Sequence, residues 1–131
     1  EMALGRNAMA SSLLAPVKLG GRNWSPLGVL FFIAPLGIAF YDNVNFPIKY
    51  RNSIFVALHG SWNRSKKSGY KVVFVKLDDE GNYLSQEDFV TGWLSNELAW
   101  GRPVSPFITK DGSMLLSDDK YNVIYKITYK G

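Results

Sequence analysis

The sequence predicts an all-β fold, and three observations support this prediction. After about residue 34, the chain is a series of short apolar runs that are rich in β-branched and aromatic residues, as strands are. Turn-forming residues separate these runs. No window in this region has a helical period, which excludes parallel βαβ architectures.

The first strands are predicted from their composition. Two Pro-Leu-Gly copies, at 25–32 and 34–41, precede them, and the second copy is the better candidate for the opening strand because regular short strands follow it. Further strands are predicted at 53–58, 70–77 and, more weakly, 83–91, with an acidic and Gly-containing turn at 78–82.

The second group of strands follows a predicted loop at 92–101, which holds Trp93 and Trp100. Strands are predicted at 104–109, 113–117 and 123–129. Lys110, Asp111 and Gly112 form the hairpin turn between the first two of these strands. The strand pattern therefore restarts after about 60 residues.

Repeated four-stranded antiparallel units are typical of β-propeller blades, with a β-sandwich as the alternative. A propeller closes with four to eight blades, whereas 131 residues hold a little under two. We expect a C-terminal piece of a longer protein, or several copies that form a homo-oligomeric ring. The predicted division is an N-terminal extension that adds a strand at most (1–33), a first blade (34–101) and a second, partial blade (102–131).

Composition excludes several classes of site. The chain has no Cys and a single His, so disulfides, thiolate nucleophiles and multi-histidine metal sites are excluded. The formal charge of +4 is spread along the chain, so we expect no nucleic-acid partner. Residues 23–41 carry no charge, but two Pro and two Gly would break a membrane helix there, and no clear signal peptide precedes them. We therefore expect no membrane partner.

Candidate functional residues fall in connections that antiparallel topology places on one face. These are the loop at 59–69, the loop at 118–122, and Arg102 at the start of a strand. His59 can bind or transfer a proton, and Arg102 can clamp a carboxylate in a forked pair. A salt bridge to a neighbouring loop is the structural alternative for Arg102.

The other candidates on this face are Asp118, Asp119 and the loop residues Trp62, Asn63 and Arg64. The two aspartates can ligate Ca²⁺ or bind a substrate hydroxyl, or else form a turn. The first loop is alternatively a capped turn, in which Ser61 and Asn63 bond to local backbone and Trp62 packs on the next blade.

A family resemblance rests on several segments taken in order, of which His-Gly-Ser-Trp-Asn-Arg at 59–64 is the most specific. The segments are 35–41, 55–64, 69–73, 87–93, 100–104, 111–113 and 116–119. They resemble the C-terminal part of L-sorbosone dehydrogenase-type proteins, which are relatives of the soluble pyrroloquinoline-quinone (PQQ) glucose and aldose dehydrogenases.

This resemblance implies a six-bladed propeller, periplasmic or secreted, that binds PQQ and Ca²⁺ on its loop face and oxidises sugars. By position, His59, where glucose dehydrogenases usually have Lys, and Arg102 correspond to the residues that contact the quinone carboxylates. The family's catalytic His and main calcium ligands come from earlier blades. No catalytic residue or metal ligand is therefore assigned within this chain.

The sequence indicates two alternative functions. The first is a fragment of a sugar dehydrogenase that is inactive on its own. The second is a self-assembling scaffold that binds carbohydrate or protein without catalysis, with Trp62, Trp93 and Trp100 as flat apolar surfaces.

Overall fold

The computed structural model describes residues 34–61 and 65–131, and the secondary structure of this part is almost entirely β. The predicted all-β class is confirmed. The elements are strands β1 (Pro35–Tyr41), β2 (Ser53–Leu58), β3 (Lys71–Leu77), β4 (Tyr83–Val90), β5 (Leu94–Ser95), β6 (Leu98–Ala99), β7 (Pro103–Ile108), β8 (Met114–Asp118) and β9 (Val123–Ile127), with one 3-10 turn at Ile48–Tyr50.

The first sheet is antiparallel in the order β1-β2-β3-β4. Phe55 pairs with Phe74 and Val56 with Val73, so the two most apolar strands lie at its centre. Every residue of β2 is buried, since both faces of the sheet are covered. The outer strand β4 is half-exposed, which explains its weaker apolar pattern in the sequence.

The second sheet has the order β7-β8-β9, and β7 packs against β1 and β2 of the first sheet. Gly37 lies on β1 where the backbones of the two sheets approach closely, next to Val104 and Ser105. An apolar cluster lies at this junction. Its buried members are Tyr41, Phe46, Phe55, Ala57, Tyr70, Val72, Phe74, Trp93, Met114 and Leu116.

The predicted loop at 92–101 is wrong in part, because it contains the short hairpin of β5 and β6. Asn96 and Glu97 connect these strands with φ values of 47° and 62°. Two successive positive φ values are typical of the tight turns that join hairpin strands, where Asn is common. Glu is not favoured in that conformation, so only Asn96 indicates this turn in the sequence.

The second Pro-Leu-Gly copy forms β1, as expected, whereas the first copy and the predicted extension at 1–33 lie outside the described residues. The two larger sheets lie on either side of position 102, but the division into blades stays a prediction. Within the described ranges, no helix is long and apolar enough to cross a membrane.

Candidate functional site

The ends of strands from both sheets meet on one face, as the antiparallel topology predicts. His59 follows β2 of the first sheet, and Asp119 follows β8 of the second. The His59 Nε2 atom lies 2.8 Å from Asp119 Oδ1 and 3.0 Å from Oδ2. The His59 side chain is 15% exposed and that of Asp119 is 57% exposed. This pair therefore links the two sheets at a site that a solute can reach.

Arg102 lies on the same face, at the start of β7. Its guanidinium Nη2 donates to the Tyr70 hydroxyl at 3.1 Å. Among residues 34–61 and 65–131, no carboxylate lies within ion-pair distance of this guanidinium. The salt bridge considered from the sequence is thus not formed in this part of the chain, and Arg102 has a neutral partner.

Tyr70 connects Arg102 to the loop that follows His59. The Tyr70 ring is buried, and its hydroxyl donates to the Ser61 carbonyl oxygen at 2.7 Å. Gly60 lies against this ring with a φ of 111°, and a Cβ at this position would lie 2.5 Å from a ring atom. Only glycine meets both conditions without displacing the ring.

The described ends of the first loop are held by local hydrogen bonds, as predicted for Ser61. The Ser61 N–H donates to the Ser68 carbonyl at 2.8 Å, and the Ser68 N–H donates to Ser61 Oγ at 3.0 Å. The candidates Trp62, Asn63 and Arg64 lie outside the described residues, so their roles stay predictions.

Asp118 is the last residue of β8, and both of its carboxylate oxygens accept hydrogen bonds from other residues of the chain. Oδ1 accepts N–H groups from Arg102 at 2.9 Å, Lys120 at 3.0 Å and Tyr121 at 2.8 Å. Oδ2 accepts the Tyr125 hydroxyl at 3.0 Å. The structure therefore supports the turn-forming interpretation of Asp118. Nowhere in the described ranges do three His, Asp or Glu side chains group as metal ligands.

Burial and these hydrogen bonds shift the pKa of Asp118 and that of Tyr125 in opposite directions. Burial raises the pKa of Asp118, but the hydrogen bonds from Tyr121, Arg102, Tyr125 and Lys120 together outweigh it, so the pKa lies below its ordinary value. The pKa of Tyr125 is raised by burial and by its bond to the Asp118 carboxylate, despite an opposing bond from Trp93. Asp118 is thus held ionised.

The aromatic residues beside the site differ in exposure. Trp93 is 4% exposed and donates to the Tyr125 hydroxyl at 3.3 Å, so it offers no free surface to a ligand. Trp100 is 46% exposed, and its ring meets the Tyr121 ring edge-on at 5.5 Å. Of these two tryptophans, only Trp100 matches the expectation of an open apolar surface.

Tyr70 was not predicted as part of the site, because the apolar run at 70–77 predicts a strand that includes it. The structure puts Tyr70 just before β3, with a φ of 55°. The preceding residue, Gly69, is the feature of the sequence that indicates a turn at this point. The pairing of Asp119 with His59, which lie 60 positions apart, was not predicted either.

Comparison with known proteins places this geometry in a family context. The TrAA12-like family model matches residues 27–130. An uncharacterized protein of Borreliella burgdorferi is 42% identical over 100 residues, which is 75% of this chain and 26% of that protein.

Two solved structures are similar to the chain. The holo form of the pyranose dehydrogenase PQQ domain from Coprinopsis cinerea is 27% identical, with a TM-score of 0.58, over 74% of this chain and 27% of that one. A Trichoderma reesei protein of Carbohydrate-Active Enzymes Family AA12 is 20% identical, with a TM-score of 0.58, over 74% of this chain and 25% of that one, which shows likeness of fold alone.

The chain thus spans about a quarter of the length of each of these relatives. Its antiparallel strands form a fragment of β-propeller type, as predicted from the strand pattern. The match over most of the sequence shows that the chain belongs to the TrAA12-like family.

Proposed function

We propose that this chain forms part of a quinone-dependent sugar dehydrogenase and that His59 and Arg102 bind carboxylates of PQQ. The observation that carries the proposal is the contact of Arg102, whose guanidinium is held on the loop face by the Tyr70 hydroxyl and not by a carboxylate of residues 34–61 or 65–131. A guanidinium has five N–H donors, so one bond to a hydroxyl leaves donors for an anionic ligand.

His59 adds a second group of suitable chemistry. His59 donates a hydrogen bond from Nε2 to the Asp119 carboxylate. A proton on Nδ1 would give the ring a second donor, for a carboxylate of the ligand. A carboxylate ligand on this face would then meet a nitrogen donor from each sheet.

In the proposed reaction, PQQ and the protein have separate roles. His59 and Arg102 would hold and orient the carboxylates of PQQ, which would supply a hydride acceptor for a sugar C–H bond. His59 is the single histidine of the sequence and is assigned to a PQQ carboxylate, and the family resemblance places the catalytic His in an earlier blade. We therefore propose that these 131 residues supply no base for the sugar hydroxyl and are inactive alone. We assign no calcium ligand within the described residues.

A binding measurement tests this proposal. We would titrate the 131-residue protein with PQQ by isothermal calorimetry, in parallel with Arg102→Lys, His59→Gln and Lys110→Gln. Lys110 is an exposed residue in the turn between β7 and β8, at the far end of that sheet, so its substitution controls for a change of a basic side chain away from the site. We expect Arg102→Lys and His59→Gln to weaken binding about tenfold and Lys110→Gln to leave it unchanged. Equal affinities for all four proteins, or no binding by any, would contradict the proposal.

The substrate and location are narrower proposals that depend on the family resemblance. We propose that the propeller that includes these blades oxidises aldoses or sorbosone, and that it acts in the periplasm or outside the cell. A dye-reduction assay with glucose, other aldoses and L-sorbosone, on a protein with all its blades, would identify the substrate. Activity of the 131 residues alone with PQQ would contradict the proposed inactivity.

A second candidate function, a self-assembling scaffold, has one observation in its favour. The outer edge of β9 pairs with no strand among the described residues, and Ile124 on this strand is 70% exposed. Unpaired edges of this kind are templates for association. Light scattering with and without PQQ and Ca²⁺ distinguishes the candidates, because a stable trimer would close a six-bladed ring whereas a monomer would contradict the scaffold.

A further inference from the structure

We infer that Tyr70 is a positioning residue that fixes the Arg102 guanidinium in the orientation that receives an anionic ligand. The inference rests on the proposed function for the identity of that ligand. The positioning itself rests on three contacts, on an unusual backbone conformation and on a closely packed glycine.

The contacts form a chain across the junction of the two sheets. Arg102 Nη2 donates to the Tyr70 hydroxyl at 3.1 Å, and this hydroxyl donates to the Ser61 carbonyl at 2.7 Å. The Arg102 Cζ atom lies 5.3 Å from the centre of the Tyr70 ring. Since the carbonyl accepts the phenolic proton, the hydroxyl oxygen presents its lone pairs to the guanidinium. A neutral acceptor in this role orients the cation without neutralising its charge.

The backbone at Tyr70 supports a specific role. Its φ of 55° lies in the left-handed region, where a bulky side chain is an outlier, and Gly69 before it has a φ of 88°. Such conformations persist where surrounding structure over-determines them, and they cluster at functional sites. Glycine or asparagine would satisfy the backbone at this position with less strain. Neither residue would place a hydroxyl beside Arg102.

The surroundings hold the ring in place. Tyr70 is 2% exposed, and Gly60 packs against the ring so closely that a Cβ there would clash with it. The phenol therefore has little freedom to turn away from the guanidinium. A long arginine side chain otherwise loses substantial rotamer entropy when it binds a ligand. Fixing it before the ligand arrives reduces that loss.

The chain provides a matched control in Tyr41. It is also fully buried, and its hydroxyl has the same two kinds of bond, since it donates to the Gly112 carbonyl at 3.1 Å and accepts the Phe46 N–H at 2.8 Å. Tyr41 ends β1, at the end of the sheet opposite His59. Tyr41→Phe removes an equivalent pair of bonds away from the site.

Two measurements on Tyr70→Phe and Tyr41→Phe test the inference. The first is ¹⁵N NMR of the Arg102 guanidinium without ligand, its signal identified by its loss in Arg102→Lys. We expect rotation about its Cζ–Nε bond to be slow in the parent protein and in Tyr41→Phe and about tenfold faster in Tyr70→Phe. The second is PQQ titration by calorimetry, in which we expect only Tyr70→Phe to bind about tenfold more weakly.

The outcomes separate this inference from the proposed function. Slow rotation that depends on Tyr70, combined with no binding of PQQ to the parent protein, would refute the proposed ligand and leave the positioning role in place. Equal PQQ affinities for the parent protein and Tyr70→Phe would refute the positioning role. If Tyr70→Phe does not fold, the parent spectrum decides, because a freely rotating Arg102 guanidinium there overturns the inference.

Discussion

Replacing Asp118 with Ala tests how much a single carboxylate stabilises the turn that carries Asp119. Asp118 accepts four hydrogen bonds, all partly buried, from the N–H groups of Arg102, Lys120 and Tyr121 and from the Tyr125 hydroxyl. Bonds to a charged acceptor contribute about 1.5–3 kcal/mol each. Lys120 and Tyr121 are exposed residues, so in the variant we expect water to replace the carboxylate at their N–H groups. Arg102 and Tyr125 are less exposed, so we expect the loss of their two bonds to dominate, with a decrease of about 4 kcal/mol in the free energy of unfolding.

The variant Asp118→Asn separates charge from hydrogen bonding. Asn keeps one acceptor oxygen for the three N–H groups, so we expect it to lose only about 1–2 kcal/mol near neutral pH. The pKa of Asp118 is lowered in the folded state. Its charge therefore stabilises the fold above the ordinary pKa of about 4, and that contribution disappears as pH falls through the folded-state pKa. The stability difference between the parent protein and Asp118→Asn should shrink over this range.

Urea denaturation followed by tryptophan fluorescence, from pH 2 to 7, measures both effects. The pKa of Asp78 and that of Asp111 are also lowered, by hydrogen bonds in their own turns, but both groups are common to the compared proteins and cancel in the difference. Asp119→Ala is the matched control, because this side chain is 57% exposed and should cost less than about 1 kcal/mol. Equal losses for Asp118→Ala and Asp119→Ala would refute the reasoning.

Three further substitutions test the packing. Gly37→Ala places a Cβ 2.5 Å from the Val104 carbonyl oxygen, so we expect a loss of about 1–3 kcal/mol in urea denaturation, whereas an unchanged midpoint would show that the sheets separate easily. Gly60→Ala, at a φ of 111°, should displace the Tyr70 ring and lower both Tm and PQQ affinity, and a change in neither would contradict the packing described. Phe55→Ala removes a fully buried ring that contacts five other aromatic rings and should cost about 3–5 kcal/mol, with a loss below 1 kcal/mol as the contrary result.

The strands of both larger sheets could be predicted because their apolar runs are distinctive. β2 and β3 are continuous apolar runs, and such runs are typical of strands buried on both faces. The meeting of His59 and Arg102 on one face followed from antiparallel alternation, which sends every second connection to the same end. Local composition and chain direction were sufficient for these features.

The contacts within the site could not be predicted in the same way. The bond between His59 and Asp119 joins residues on different sheets, so it depends on how β7 packs against β1 and β2. That packing depends on side-chain volumes, and no local pattern encodes it. The left-handed conformation of Tyr70 is likewise maintained by tertiary contacts against the preference of the residue itself.

The placement of His59 on one sheet and Arg102 on the other has a thermodynamic consequence. A dianionic ligand that contacts both side chains would connect the two sheets, and its binding free energy would add to the free energy that holds them together. By the same linkage, any force that spreads the sheets would weaken the ligand. Binding of the cofactor and packing of the two sheets would then be coupled in a single equilibrium. A substitution that loosens the contact between the sheets far from His59 would therefore release the ligand before the strands themselves unfold.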